Sequence, residues 1–526
     1  MTSDAELRRS PTVLLFAVFF LALFALHVPL LRLPYFWDEA GYYIPAARDL
    51  LLTGSLVPHS TPSNAHPPLV MACLALAWKV LGYTPLVTRT VMLLFAAWSL
   101  LGVFRLAQRV ANVEVAVASS LCTGLYPVFF AQSSMALVDL AAAGFIFWGL
   151  GAYVSDRYRV AALWFSLAIL AKETAILAPL ALFTWELGAE PFWRSGLASQ
   201  PANESEGNRK NLVLLLPIIP LGLWYGYHYW RTGFVLGNPE FFRYNVQATL
   251  HPLRILLALG MRLWQVLGYM GLYLLTLATL FAMWLPPLED QGFARRRITP
   301  SVQYSFLAVM VADVLAMAAI GGAVLARYML PVVPLVIVIG VSTLHRRVHY
   351  WRAVVGIVAL AFVAALFVNP PYGFSIEDNL AYHDYIVLHQ NADSFVEARY
   401  PMARVLTAWP ASDELTHSYL GYVSRPMRVF RVEDFTAEQL LAAVDFRSQF
   451  NLALVFSTKY EPPHPWFEGW RRWQEWKREF FGYHRDVPPA AAAQILGGRL
   501  VYEEHRKGQW VGVIEMERVE EARALQ

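Results

Sequence analysis

Twelve apolar segments interrupt the first 369 residues of this 526-residue chain, and several are long enough to cross a lipid bilayer. A hydrocarbon core of roughly 30 Å takes about 20 helical residues. Composition agrees with a chain that lives largely in lipid. Hydrophobic types make up 57% of it and charged residues only 15%, against roughly 25% charged in soluble domains. The 32 prolines and 18 tryptophans fit many short helices with aromatic ends near a bilayer interface. The expected fold class is a polytopic α-helical membrane protein.

Arg8 and Arg9 precede the first apolar run, Pro11 to Leu31. No small-residue cleavage site follows it, so it reads as a first transmembrane helix with its N-terminus in the cytoplasm rather than a removed signal. The other segments run approximately 67–82, 88–109, 113–131, 138–154, 158–171, 173–187, 211–229, 255–285, 303–325, 328–344 and 353–369. Cationic clusters stand at Arg105 with Arg109, Arg157 with Arg159, Arg209 with Lys210, Arg295 to Arg297, and Arg346, Arg347 and Arg352. All can be cytoplasmic only if one early segment fails to cross. The 67–82 segment fits that part: it is short, opens His66-Pro67-Pro68 and carries Lys79. About eleven spans remain, with the C-terminus outside. Four polar stretches then share the external face: 32–67, 132–139, 230–252 and the region after Asn369.

Residues 188–210 read as a flexible cytoplasmic linker. The last part of the chain, 370–526, differs from the membrane part, 1–369. It alternates strand-like runs (Arg404–Ala408, Met427–Val432, Asn451–Ser457, Val511–Met516) with helical stretches such as Ser412–Tyr422 and Ala437–Val444. That pattern predicts a small extracytoplasmic α/β domain. The net charge of +3 is small. With no basic block and no nucleic-acid motif, it gives no case for a nucleic-acid partner, and none is expected. Cys73 and Cys122 lie in apolar runs and read as small buried hydrophobes.

The first external loop carries Trp37-Asp38-Glu39-Ala40-Gly41-Tyr42-Tyr43. Over 37–52 the spacing is helical: Trp37, Ala40, Ile44, Ala47 and Leu51 form an apolar stripe, and Asp38 and Tyr42 share the other side. A carboxylate so placed can act as general base for an acceptor hydroxyl or amine, or simply favour a helix N-terminus. His66, fixed by the two prolines after it, could bind a phosphate, an acceptor or a divalent metal, or stand as a surface histidine at a membrane boundary. Asp139 opens a span, and ionisable residues at membrane depth are costly and usually functional. A helix N-terminal carboxylate is its bland counterpart. Lys172-Glu173 interrupts the apolar stretch Leu167–Leu180, where the two either pair or face a wet cavity. Arg327-Tyr328 follows Gly321-Gly322 at an external helix end, suited to phosphate capture or to snorkelling. No phosphate-binding loop and no dinucleotide fingerprint is present, which argues against a nucleotide-sugar donor held in a soluble domain.

In order and spacing these pieces resemble the GT-C glycosyltransferase superfamily, in particular the branch of protein O-mannosyltransferases and lipid A aminoarabinose transferases. The likeness rests on Asp38-Glu39-Ala40-Gly41-Tyr42-Tyr43, Gly54, His66-Pro67-Pro68-Leu69, Gly82, Arg89, Asp139, Leu170-Ala171-Lys172-Glu173 and Arg327-Tyr328-Met329-Leu330-Pro331, and covers approximately residues 10–345. It implies an inverting transferase of the inner membrane, with a polyprenyl-phosphate-linked sugar donor and an acceptor that is a lipid, glycan or protein outside the cytoplasm. Asp38 matches the catalytic acidic position, with Glu39 and Asp139 as further acidic candidates. Tyr42, His66, Arg89, Lys172, Glu173, Arg327 and Tyr328 are then expected to line the substrate site. In the aminoarabinose branch an acidic–lysine pair commonly precedes the two prolines; here Ala65-His66 stands in its place, which puts a shared metal site in doubt and leaves His66 as a candidate ligand. Competing readings are a secondary transporter or lipid flippase, for which no inverted repeat is found, and a scaffold presenting the outer domain.

Overall fold

The computed structural model describes residues 11–194, 211–462 and 469–516. Arg8, Arg9, Arg209, Lys210, Gln526 and most of the expected linker lie outside them; the Leu177–Arg194 helix runs into the linker's first part. The chain forms two compact units. One contains the stretches up to Leu31 and Ala46–Leu366, the other Arg32–Pro45 and the chain from Phe367 on. The first part of the expected external loop, 32–45, thus belongs with the C-terminal unit.

In the first unit every apolar segment is helical. Four helices are long and apolar enough to cross a membrane: Thr12–Leu30, Pro85–Val110, Pro252–Met283 and Pro300–Ala319. Their outer faces show Val13, Leu21, Leu256, Leu277, Phe281 and Leu315 to the surroundings. Water does not solvate apolar surface on that scale, and lipid does. The chain is an integral membrane protein. Leu69–Leu81, Val113–Leu125, Asp139–Tyr153, Tyr158–Ala171 and Trp351–Phe367 are shorter apolar helices.

The shortness has local causes. Val113–Leu125 ends at Tyr126-Pro127. The long 252–283 segment bends where Met270 and Gly271 adopt positive φ of 51° and 90°. The 158–187 stretch breaks at Lys172, whose backbone is extended at φ −151°, ψ 128°. Between the breaks, small residues let helices approach. A Cβ on Gly144 would sit 2.1 Å from the Ser99 hydroxyl, and that hydroxyl donates to the Leu140 carbonyl.

The second unit is built on a five-stranded sheet. Its strands are β3 (Arg404–Ala408), β4 (Arg428–Val432), β5 (Leu452–Phe456), β6 (Gly498–Arg506) and β7 (Gln509–Met516), after a small hairpin of β1 (Glu289–Asp290) and β2 (Phe293–Ala294) in the first unit. The order is β4-β3-β5-β7-β6. β3 pairs in parallel with β4 and β5, and β7 runs antiparallel to β5 and β6. β5 reads LALVF and is buried throughout, as a central strand covered on both faces must be. β6 reads GRLVYEEHR, ends in a charged run and shifts register between Leu500 and Tyr502, which suits an edge strand.

The 19-residue Ala381–Arg399 helix lies against β6 and β7. From it a buried polar group reaches into the core. His389 Nδ1 lies 2.6 Å from Glu414 Oε2, with the imidazole stacked on Tyr385 at 3.9 Å. Neither carboxyl oxygen of Asp393 meets a hydrogen-bond partner among the described residues. Burial holds the Asp393 and Glu414 carboxyls well above the usual range and pushes His389 down to about 4. The group is therefore uncharged when folded, and the Glu414 carboxyl can donate to the neutral imidazole.

Unfolding above about pH 4.5 releases both carboxyl protons, so their contribution to stability falls as pH rises. His389 acts oppositely between about pH 4 and 6.5 and is neutral in both states above that. Only the carboxyl slope remains above pH 6.5, up to about 1.4 kcal/mol per pH unit for each carboxyl still protonated. Hydrogen exchange of Ala381–Arg399, corrected for intrinsic rates, should therefore report a lower opening free energy at pH 8.5 than at 6.5. A flat or rising profile contradicts the uncharged cluster.

Candidate active site

In the first unit the helix breaks place charged residues together. Asp139 is the first residue of the Asp139–Tyr153 helix. Lys172 stands at the extended break after Tyr158–Ala171. Arg327 and Tyr328 lie in a short 3₁₀ turn, Ala326–Met329. The Lys172 ammonium donates to Asp139 Oδ1, and Arg327 Nε lies 3.4 Å from Asp139 Oδ2. Arg327 is only 2% exposed, so it does not snorkel to a surface. Lys172 and Glu173 do not pair with each other: the Glu173 carboxylate takes His66 instead, Nδ1 to Oε2, 2.8 Å. One aromatic ring gathers the cations. Lys172 Nζ stands 4.0 Å from the Tyr328 centroid, and the guanidinium carbons of Arg262 and Arg327 stand 5.4 and 5.6 Å from it.

His66 is held by its loop. The Trp224 indole N–H donates to the Ala65 carbonyl at 2.8 Å, and Asn238 donates to the Ser63 carbonyl from its backbone N–H and its side chain at 3.0 and 3.1 Å. The Ser63 hydroxyl meets His228 Nε2 at 2.8 Å. Buried Arg89 donates to the Ser134 carbonyl at 2.9 Å and so anchors the loop that leads into Asp139.

Asp139, Lys172 and Tyr328 line a small cavity with Thr174 and Asp313, against a wall that includes Ile146, Val309 and Pro331. Asp313 projects from the Pro300–Ala319 helix, and its Oδ2 has no hydrogen-bond partner among the described residues. Asp313 is not among the residues expected from the sequence, although an acid inside a span is itself a signal. Nor are Arg254, Arg262 and Gln265. Their spacing puts them on one face of the Pro252–Leu267 helix. Arg254 donates to the carbonyls of Ala318, Gly321 and Gly322. Arg262 donates to those of Met317 and Leu325 and to Gln265 Oε1; Gln265 donates to the Val324 carbonyl. Together they satisfy the carbonyl end of the Pro300–Ala319 helix and fix the turn that delivers Arg327-Tyr328.

The acidic pair lies in the second unit. Asp38 immediately precedes a five-residue π-helix, Glu39–Tyr43, a form frequent at functional sites. Trp37 before it has φ of +45°, rare for a bulky residue. Glu39 is wholly buried and its Oε2 accepts the Phe36 N–H at 2.9 Å, while Asp38 keeps partial exposure. Tyr42 is buried, edge-on to Tyr43 at 5.2 Å. Chemically, the first unit offers three buried cations about one ring, an arrangement able to hold an anion. The second offers an accessible carboxylate beside a structural one. Among the described residues no group of three or more His, Cys, Asp or Glu side chains is placed to hold a metal ion.

No protein-family model and no curated protein sequence matches the chain. Solved structures do. ArnT from Cupriavidus metallidurans, bound to undecaprenyl phosphate, superposes with a TM-score of 0.53 at 14% identity, over 95% of this chain and 97% of that one. The apo form of that ArnT gives 0.49 at 14% identity, over the same shares of the two chains. The oligosaccharyltransferase AglB from Archaeoglobus fulgidus, in complex with an inhibitory peptide and a dolichol-phosphate, gives 0.48 at 11% identity, over 95% of this chain and 74% of that one. The first of these carries the fold assignment. The chain has the GT-C fold. Within that class its likeness to ArnT extends over nearly the full length of both chains.

Proposed function

We propose that the chain is an inverting glycosyltransferase that moves a sugar from a polyprenyl-phosphate donor to an extracytoplasmic lipid, glycan or protein acceptor. The observation that carries this reading is the buried set of Lys172, Arg262 and Arg327 around Tyr328, inside a GT-C fold. A phosphate that stays with a membrane-embedded tail needs cations at membrane depth. ArnT, with the same fold, is bound to undecaprenyl phosphate. In this reading Asp38 takes the acceptor's proton as its oxygen or nitrogen attacks the anomeric carbon. The sugar–phosphate bond breaks on the opposite face, and Lys172 and Arg327 stabilise the negative charge that grows on the departing polyprenyl phosphate. His66 and Glu173 supply an imidazole and a carboxylate to the same unit, the groups that would ligate a divalent metal there. Nothing in the fold favours the transporter reading.

The test is transfer in liposomes from a labelled polyprenyl-phosphate sugar, with the anomeric configuration of the product read by NMR. Inversion is expected; retention, or transbilayer movement of donor without transfer, refutes the reading. Arg327→Ala should weaken binding of polyprenyl phosphate by about 1.5–3 kcal/mol, the worth of a charge-assisted hydrogen bond. Unchanged affinity in a folded variant confines Arg327 to holding Asp139.

A further inference from the structure

Residues 32–45 are sewn into the C-terminal unit. The Tyr35 N–H donates to the Leu420 carbonyl at 3.4 Å, and the Tyr422 hydroxyl donates to the Tyr35 carbonyl at 3.1 Å. Phe36 meets Tyr385 edge-on at 5.1 Å. A further contact is Trp409, the residue directly after β3, at the carboxyl end of the parallel strands. Its indole crosses Trp37 at 5.2 Å and 77°. It also lies flush against Gly41: a Cβ there would come 2.7 Å from Cζ2 and 2.8 Å from Nε1. Real Cβ atoms do not approach so closely, so only glycine fits. The indole N–H is itself bonded to the Asp413 carboxyl on the next helix, Ala411–Thr416.

Trp37 and Gly41 bracket Asp38 and are joined by the Gly41 N–H to Trp37 carbonyl bond, 2.9 Å. A single rigid ring therefore touches both ends of the turn that presents the carboxylate. We infer that Trp409 is a positioning residue for Asp38, and that the C-terminal unit serves the transferase by holding its general base. This rests on the reading of Asp38 as that base. A base must stand within hydrogen-bond reach of the proton it takes, and a displacement of about 1 Å can cost about 100-fold in rate.

The experiment compares Asp38→Asn, Trp409→Ala, Trp409→Phe, Gly41→Ala and the Gly41→Ala/Trp409→Phe double variant in the liposome assay. Trp409→Ala should lower kcat about 10–100-fold with the donor KM unchanged, and Trp409→Phe should retain more of it. Gly41→Ala should be comparably damaging. The double variant should recover part of that loss, because phenylalanine lacks the indole atoms that the new methyl would strike. Hydrogen exchange should quicken at Glu39–Tyr43 and stay unchanged in β5, which separates mispositioning from unfolding. If Asp38→Asn abolishes turnover while Trp409→Ala leaves kcat intact, the positioning role is wrong and the transferase reading stands. No recovery in the double variant also counts against it. If Asp38→Asn itself is silent, the base assignment falls, and this inference falls with it.

Discussion

Asp38→Asn is expected to lower turnover by about 10²–10⁴-fold, the usual loss on removing a general base. Asparagine keeps the shape and the partial exposure of Asp38, so the π-helical turn should survive, but the amide cannot take the acceptor's proton. The neighbour serves as internal control. Glu39 is fully buried, and its carboxylate is already occupied by the Phe36 N–H. Glu39→Gln can keep that bond through its amide oxygen and should cost turnover far less. The comparison is made on purified protein with matched thermal stability, from initial rates at saturating donor. A larger loss for Glu39→Gln exchanges the roles of the two acids. Silence of both moves the search to Asp139.

Removing one member of the buried ion group should cost about 3–5 kcal/mol of stability, because the remaining charge is left in a medium that cannot solvate it. Asp139 receives both Lys172 and Arg327. Asp139→Asn therefore removes the carboxylate that faces both cations, and Lys172→Met takes one of the two cations from Asp139. The two changes should be strongly non-additive: with Asp139 already neutral, losing Lys172 removes a cation that had become a liability. Unfolding free energies in mixed micelles titrated with denaturing detergent would measure the coupling, and strict additivity would falsify a shared group. The same arrangement bears on donor binding. An incoming phosphate competes with Asp139 for Lys172 and Arg327, so Asp139→Asn should tighten polyprenyl phosphate binding even as it destabilises the fold.

Much of this was legible in the residues. Apolar runs and their cationic flanks announce a helical membrane part. Lys172 and Arg327 declare themselves as charges that lipid would not tolerate without a purpose. Alternation in the C-terminal region announces its strands, and Ala437–Val444 is helical as expected. Three things were not legible, each because it depends on distant parts of the chain meeting. Lys172-Glu173 looks like a pair, yet its members part company because the break at Lys172 turns them toward Asp139 and His66. Arg254 and Arg262 look like charges at a helix surface, and only the turn at 317–325 shows what they are for. The 32–45 segment looks like part of a membrane loop, and nothing local says that its aromatic residues match Trp409. β6 is hard to read for another reason: its apolar residues are confined to Leu500–Tyr502, and Glu503, Glu504, His505 and Arg506 follow without alternation, so the period-2 signal of a strand is weak.

The two arginines on the Pro252–Leu267 helix also constrain how the protein is made. Arg262 lies near the middle of that helix, where a lone arginine costs about 2.5–3.5 kcal/mol to insert. The carbonyls that receive it belong to residues 317 and 325, and those that receive Arg254 to 318, 321 and 322. The ribosome delivers them more than fifty residues later. Insertion of that helix should therefore become more favourable once Pro300–Ala319 has emerged to receive the two arginines.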